Sequence, residues 1–249
     1  MIGIMGAMPE EIHHLTQHLT SGTARDSGMR TYYRGDLFGI PTVVIFSRWG
    51  KVAAATTVTN LILEYGVKEI IFTGVAGALH ADLQIGDVVV GKNLYQHDMD
   101  ATPLMPRFEI PLLGRQFFET APERVEATVQ AASHFLKNIA QHIPEAELAA
   151  FGIRAPKAVA GDIASGDTFV SAHAHKEHIM KGLPGVYCVE MEGAAVAQVC
   201  YEFGIPCTII RTISDAANES AEMDFPRFIE SIASRYSEGI IRELYRTLT

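Results

Sequence analysis

The chain has 249 residues, with 20 Lys and Arg against 29 Asp and Glu, and its formal net charge is −9. A hydrophobic fraction of 48% and a charged fraction of 20% are ordinary for a globular protein and exclude extensive disorder. An acidic chain without a Lys/Arg cluster is a poor binder of nucleic acids and anionic membranes. We therefore expect a small-molecule partner, with no nucleic acid and no membrane.

The cysteines and the N-terminal residues indicate the cellular compartment of the protein. Cys188, Cys200 and Cys207 lie in apolar stretches without a CxxC pair, which predicts reduced core residues. The N-terminal residues have no basic region ahead of an apolar segment, so no signal peptide is predicted. The most apolar stretches, such as 70–79, are shorter than the ~20 residues that span a bilayer. The sequence predicts a cytoplasmic protein.

In the first part of the chain, short apolar runs alternate with stripes of helical spacing. Strands are predicted at 2–5, 32–37, 42–46 and 68–73, and helices at 9–19 and 52–62. The second helix carries the stripe Val52, Ala55, Val58 and Ile62. Gly66 is expected to end this helix in a left-handed conformation.

The same alternation continues to the end of the chain. Residues 96–114 carry three prolines and little periodicity, and Thr120 with Glu123 predicts a capping box before the next helix. Further strands are predicted at 85–90, 153–160, 186–189 and 208–213, and helices at 122–139, 196–203 and 229–244. This order predicts an α/β fold with a largely parallel sheet covered on both faces, built as a single domain over residues 1–249.

Four polar or glycine-rich segments follow predicted strands, at 6–11, 74–77, 190–192 and 211–215. Ligands of open α/β sheets bind beyond the carboxyl ends of the strands, so these segments are expected to converge on one crevice. The convergence would gather several carboxylates and one arginine in a partly apolar pocket. Each carboxylate also has a structural interpretation, because Glu11, Glu192 and Asp215 lie at predicted helix starts, where they could cap the helix.

Other patterns are weaker. The glycines do not form GxGxxG or GxxxxGK[ST], which argues against a dinucleotide or P-loop site. The trio His173, His175 and His178 has the spacing of metal ligands, but its charged neighbours favour a solvated helix start. Trp49, the only tryptophan, lies near two cations and would suit the rim of an aromatic-ligand site, although a simple helix start also explains the segment.

At these residues the sequence resembles the 5′-methylthioadenosine/S-adenosylhomocysteine nucleosidases of the nucleoside phosphorylase superfamily. The resemblance implies a three-layer α/β/α sandwich with a central mixed, largely parallel sheet, and a homodimer active in methionine salvage. It implies no metal and no organic cofactor. The matching stretches occur in family order and are IGIMGAMPEEI, GKVAAA, FTGVAGAL, IGDVVV, ASGDTFV, VEMEGAAVAQVC, RTISDAAN and DFPRF.

Matching positions carry the family roles over to this chain. Glu11 would activate the attacking water, and Asp215, oriented by Ser214, would protonate the purine. Glu192 would bind the ribose hydroxyls. The other implied substrate-binding residues are Met8 and Met191 at the sugar, Ala76 and Gly77 beside sugar and base, Phe169 and Val170 at the purine, Arg211 with Glu190 at the water, and Phe225 at the 5′ group; Trp49 joins them as a rim residue.

The implied reaction is hydrolysis of an N-glycosidic bond in 5′-methylthioadenosine or S-adenosylhomocysteine, with 5′-deoxyadenosine as a further candidate substrate. Some relatives also cleave 6-amino-6-deoxyfutalosine. A phosphate-dependent nucleoside phosphorylase and a non-catalytic nucleoside-binding protein remain as alternatives. The chain departs from the family pattern with Val75 in place of a serine and with Arg48 and Trp49 before the GK pair. The 101–114 region is expected to lie near the partner's site in the dimer.

Overall fold

The structure is a computed structural model that describes residues 1–248. Ten strands form one sheet. They are β1 (Ile2–Gly6), β2 (Leu19–Ser27), β3 (Arg30–Leu37), β4 (Ile40–Phe46), β5 (Glu69–Ala78), β6 (Val88–Gln96), β7 (Phe118–Glu119), β8 (Ala158–Ser165), β9 (Val186–Glu190) and β10 (Cys207–Asp215).

Eight α-helices alternate with these strands, and a π-helical segment at Ile229–Ala233 joins the last two helices. The helices are α1 (Pro9–Gln17), α2 (Lys51–Tyr65), α3 (Pro122–Lys137), α4 (Glu145–Ala150), α5 (His173–Gly182), α6 (Gly193–Phe203), α7 (Ala221–Phe228) and α8 (Ser234–Tyr245). None of the helices within residues 1–248 combines the length and the apolar character needed to cross a membrane.

The sheet is mixed and partly closed. Its strand order is β10-β6-β8-β9-β5-β1-β4-β3-β2, β7 pairs with β6, and an additional pairing joins β10 to β5. That pairing closes β5, β9, β8, β6 and β10 into a ring. The β1–β4, β1–β5, β5–β10, β6–β8 and β8–β9 pairs are parallel, whereas β2–β3, β3–β4, β5–β9, β6–β7 and β6–β10 are antiparallel. The α/β class is confirmed, but a largely parallel sheet is not.

Helices pack in two groups. One core cluster includes Leu61 of α2, Phe72 of β5 and Val196 of α6. A second cluster includes Phe135 of α3 and Tyr236 of α8. Burial of such apolar side chains is the main driving force for the fold, at about 25 cal/mol per Å² of apolar surface.

Several predicted elements need correction. β6 and β8 begin at Val88 and Ala158, later than the predicted 85 and 153. Ile153 lies in irregular chain outside the strands, where it is buried against Gly86. β2 was not predicted, since its side chains are mostly exposed and lack an apolar pattern. The buried face of α2 differs from the predicted one. Its buried residues are Ala54, Thr57, Val58 and Leu61, whereas Val52 is 78% exposed.

Helix ends follow the expected rules only in part. Gly66 and Gly204 end α2 and α6 with φ of 61° and 66°, in the left-handed region where glycine has no Cβ penalty. The prediction of a capping box at the start of α3 is wrong. Ala121 is the N-cap, no side chain caps the helix, and the Thr120 hydroxyl is buried without a hydrogen-bond partner. Pro122 starts the helix instead, because its fixed φ suits the first turn.

β5 is the strand that brings the site together. It pairs in parallel with β1 on one side and with β10, so all three strands end at the same edge. β9 is antiparallel to β5, yet it pairs only through Gly77–Val189 and Ala78–Cys188, at the carboxyl ends of both strands. The ends of β1, β5, β9 and β10 therefore converge, as the sequence predicted for a parallel sheet.

Candidate active site

A pocket lies at this convergence. Every sequence-predicted site residue except Arg211 lines it, and Glu11 and Asp215 face the same cavity. The lining is Ala7, Met8, Glu11, Trp49, Val75, Ala76, Gly77, Thr168, Phe169, Val170, Val189, Glu190, Met191, Glu192, Ser214, Asp215 and Phe225. Ala7, Thr168 and Val189 were not predicted, because the family resemblance assigned them no role, and Val75 was named only as a departure from the family pattern.

Glu11, in the first turn of α1, is buried and anchored by three backbone N–H groups. Its Oε2 accepts hydrogen bonds from Ala7 at 2.5 Å and Met8 at 3.0 Å, and its Oε1 accepts one from Val75 at 3.0 Å. Burial raises the pKa of Glu11, and the nearby Arg211 charge and these N–H groups oppose that rise. Glu11 thus contributes to the capping of α1 and also presents a carboxylate to the pocket.

Arg211 lies behind the pocket wall and is 1% exposed. Its Nη2 and Nε donate to Oε2 of Glu190 at 2.6 and 3.1 Å. Its guanidinium also lies over the Phe72 ring, 4.2 Å from the centroid. Glu190 accepts further hydrogen bonds from the Ser165 hydroxyl and from the Gly193 N–H at the start of α6. Glu190 therefore holds Arg211 in place and also caps α6.

Glu192 is the N-cap residue of α6, but its side chain makes no capping hydrogen bond. The capping interpretation of Glu192 is wrong, because Glu190 occupies that role. The Glu192 Oε1 instead accepts a hydrogen bond from the Gly50 N–H at 2.8 Å. Burial, with a smaller contribution from the Glu190 charge, raises the pKa of Glu192 to about 8. The Glu192 carboxyl group is thus buried, faces the pocket and can accept further hydrogen bonds.

Asp215 ends β10 at the other side of the pocket, where it is 3% exposed. Its Oδ1 accepts a hydrogen bond from the Ala217 N–H at 2.8 Å, and its Oδ2 accepts one from the Ser214 hydroxyl at 2.8 Å. Burial raises the pKa of Asp215, and these two hydrogen bonds work in the opposite direction. The side chain is oriented by its neighbours and can hold a proton near the pocket.

Three aromatic rings form the outer part of the pocket. The Phe225 ring meets Trp49 edge-on, with centroids 5.9 Å apart, and meets Phe169 at 5.5 Å. Trp49 is 52% exposed, which matches its predicted place at the rim. Aromatic faces of this kind favour a flat or apolar ligand.

The buried charges of the site are unbalanced. Glu11, Glu190 and Glu192 share the single buried cation Arg211, which Glu190 already pairs. Like charges in a low-dielectric site disfavour simultaneous ionisation. The arrangement can therefore hold both a carboxylate and a protonated carboxyl group, which is what acid–base chemistry requires.

The histidines of α5 do not form a metal site. Over residues 1–248, no group of His, Cys, Asp and Glu side chains is arranged to hold a metal ion. His173 contacts Glu177, and His178 contacts Arg107.

Comparisons with known proteins agree with this fold. The family model of the Phosphorylase superfamily matches residues 1–246. A 5′-methylthioadenosine/S-adenosylhomocysteine nucleosidase of Staphylococcus aureus (strain JH9) is 34% identical over 241 residues, which cover 96% of this chain and 97% of that protein.

Solved structures with a similar fold indicate the same family. A 5′-methylthioadenosine/S-adenosylhomocysteine nucleosidase of Colwellia psychrerythraea 34H in complex with adenine superimposes with a TM-score of 0.85 at 30% identity, covering 98% of this chain and 94% of that one. A futalosine hydrolase of Helicobacter pylori strain 26695 gives 0.84 at 34% identity, covering 99% and 97%. The chain belongs to the Phosphorylase superfamily and, within it, to the family of 5′-methylthioadenosine/S-adenosylhomocysteine nucleosidases.

Proposed function

We propose that the protein hydrolyses the N-glycosidic bond of 5′-methylthioadenosine and S-adenosylhomocysteine, which yields adenine and the free 5-substituted ribose. The observation that carries the proposal is that Glu11 and Asp215 line one pocket from the ends of different strands. The relatives named for this activity match nearly the whole chain. The structural neighbours include a futalosine hydrolase. The proposed substrate class also includes 6-amino-6-deoxyfutalosine and 5′-deoxyadenosine, on the family resemblance.

In the proposed mechanism, Glu11 accepts a proton from water as the water oxygen bonds to the anomeric carbon. The bond between that carbon and the purine nitrogen breaks, and the sugar passes through an oxocarbenium-like state. The Glu11 carboxylate stabilises its positive charge, and the Glu192 carboxyl group binds the ribose hydroxyls. Asp215 donates its proton to N7 of the purine, so that adenine leaves as a neutral base.

The surroundings of each carboxyl group support these roles. A general acid must hold its proton near neutral pH, and burial raises the pKa of Asp215 in that direction. A general base must be ionised. Burial raises the pKa of Glu11, and Arg211 and three N–H groups oppose this rise because they favour the charged form. The Ser214 hydroxyl keeps the Asp215 carboxyl group oriented.

The remaining lining residues fit the binding of a nucleoside. We propose that Phe169 stacks on the purine and that the Val170 backbone contacts its edge. Met8 and Met191 line the sugar, Ala76 and Gly77 border sugar and base, and Arg211 with Glu190 supports the water. Phe225 and Trp49 cover the 5′ substituent, whose apolar thioether suits aromatic contacts.

A phosphorolytic reaction is disfavoured by the charges of the pocket. Within residues 1–248, the side chains that line the pocket include no lysine or arginine. The nearest buried cation, Arg211, is engaged by Glu190 at 2.6 Å. A phosphate dianion would meet carboxylates and no free cation. A binding protein without turnover would not need both Glu11 and Asp215.

We also propose that residues 1–249 form a single domain with helices on both sides of the sheet in a three-layer arrangement. The contacts of α2 with α6, and of α1 and α3 with α8, support this proposal. The family resemblance further supports a cytoplasmic homodimer that serves methionine salvage, with the 101–114 region near the partner's site.

The proposal is tested by following adenine release from 5′-methylthioadenosine with and without phosphate. We expect adenine and 5-methylthioribose at the same rate in both conditions. Asp215→Asn and Glu11→Gln should each lower kcat by about 10³-fold, in the range typical of general acid–base groups. Asp82→Asn, an exposed aspartate outside the pocket, is the matched control and should retain full turnover. A ribose 1-phosphate product, or unimpaired hydrolysis by either variant, contradicts the proposal.

A further inference from the structure

Lys176 joins two strand ends beside the pocket, although it does not line the pocket itself. It lies in the first turns of α5, the helix that follows the loop carrying Phe169 and Val170. Its Nζ donates hydrogen bonds to the Ala78 carbonyl at 2.7 Å and to the Ala216 carbonyl at 2.9 Å. Ala78 follows Gly77 at the end of β5, and Ala216 follows Asp215. One side chain thus connects three segments around the purine end of the site.

Helix stability does not explain this contact. An ammonium group near a helix N-terminus is disfavoured by the helix dipole. Partial burial also lowers the pKa of Lys176, so removal from water is unfavourable for the charged form, and attraction to Asp215 opposes this. The side chain is therefore held where it is by its two carbonyl partners and the adjacent carboxyl group.

The segment that Lys176 holds has little freedom. Ala217 has a φ of 49°, in the left-handed region that non-glycine residues seldom adopt. A Cβ added at Gly77 would come within 2.9 Å of both the Asp215 Oδ1 and the Ala217 Cβ. The β5 end and the Asp215 turn thus pack in direct contact, and the Lys176 ammonium bonds a carbonyl from each side.

We propose that Lys176 is a positioning residue that holds the Asp215 turn against the end of β5 and keeps a positive charge beside the Asp215 carboxyl group. The inference rests on the proposed function, in which Asp215 is the acid. Lys176 acts through Asp215 and does not touch the substrate.

The charges around Asp215 determine the direction of the effect. Burial is the largest influence and raises the pKa of Asp215. The Ser214 hydroxyl on the same strand lowers this pKa, Asp224 of α7 raises it, and Lys176 of α5 lowers it by a smaller amount. Without the Lys176 charge, burial and Asp224 raise the pKa of Asp215 with less opposition. The Asp215 carboxyl group would then keep its proton to higher pH, while its position would be less fixed.

The experiment compares the pH profiles of kcat for the wild type and Lys176→Met. We expect kcat at neutral pH to fall about tenfold, because a misplaced acid transfers its proton less efficiently, with KM nearly unchanged. The alkaline limb of the profile should move to higher pH. Lys176→Arg, which keeps the charge and the donors, should restore the position of that limb. Lys181→Met, an exposed lysine of the same helix, is the matched control.

A purely structural role would lower the melting temperature of Lys176→Met without moving the alkaline limb, and that result overturns the inference. An unchanged kcat and profile would overturn it too. If Lys176→Met does not fold, Lys176→Gln gives the same measurement, since it removes the charge and keeps an N–H donor. Failure of the wild type to release adenine would refute the proposed function itself, which separates the two outcomes.

Discussion

Glu192 shows how a single residue links the site to the stability of the protein. In the folded state the pKa of Glu192 is about 8, against an ordinary value of 4.5, because the carboxyl group is buried near Glu190. A folded-state pKa above the unfolded one means that the protonated group stabilises the protein at low pH. This contribution is fully present below about pH 4.5 and is lost as the pH rises through 8.

We therefore expect the melting temperature of the ligand-free protein to fall by about 5 °C between pH 6 and pH 9. Glu192→Gln cannot ionise, so its melting temperature should change much less over this interval. Calorimetry or a thermal shift assay across the interval measures the difference. Glu123→Gln, an exposed glutamate at the start of α3, serves as the control and should follow the wild type. Parallel curves for the wild type and Glu192→Gln would contradict the buried, protonated state.

At the scale of elements, periodicity predicted those strands and helices whose burial follows a simple pattern. The predicted strands at 32–37, 42–46, 186–189 and 208–213 match β3, β4, β9 and β10 closely. β2 could not be predicted, because backbone pairing with β3 holds it in the sheet and its polar side chains stay exposed. The face of α2 was misjudged, since the spacing alone allows more than one apolar stripe on an alanine-rich helix.

The contact between α3 and α8 depends on a glycine. A Cβ added at Gly239 would lie 2.1 Å from the ring of Phe135, which is fully buried. Neither helix can accept that atom without moving, so Gly239→Ala should lower the free energy of unfolding by about 2 kcal/mol, in the range of overpacked cores. Urea denaturation measures the change. Gly185→Ala, where an added Cβ meets nothing within 4 Å, is the control, and an equal effect of both variants would contradict the close packing.

For the whole molecule, strand order explains why the pocket residues could be predicted and their contacts could not. Glu11, Glu192 and Asp215 lie at the ends of predicted strands and within the family motifs. Their convergence could therefore be predicted from the sequence. The Gly50–Glu192 and Val75–Glu11 hydrogen bonds use backbone N–H groups, which leave no trace in side-chain chemistry. The closure of the sheet through the β5–β10 pair likewise depends on backbone geometry that no residue pattern records.

The proposed homodimer gives the last prediction. Val52 and Leu63 are 78% and 66% exposed, and their spacing of eleven residues places both on the outward face of α2. Leu104 and Leu112, in the 101–114 region, are 88% and 93% exposed. Burial of these side chains in the proposed dimer would remove their apolar surface from water.

We expect light scattering to give twice the 27.2 kDa mass of one chain. Leu63→Glu places a charge on the outward face of α2 and should shift the mass toward the monomer. Because the 101–114 region is proposed to complete the partner's site, adenine release per chain should fall with dissociation. Gln141→Glu, which adds the same charge at an exposed position beyond α3, should leave mass and activity unchanged. A wild-type monomer that keeps full activity at all concentrations would refute the dimer and the role of the 101–114 region together.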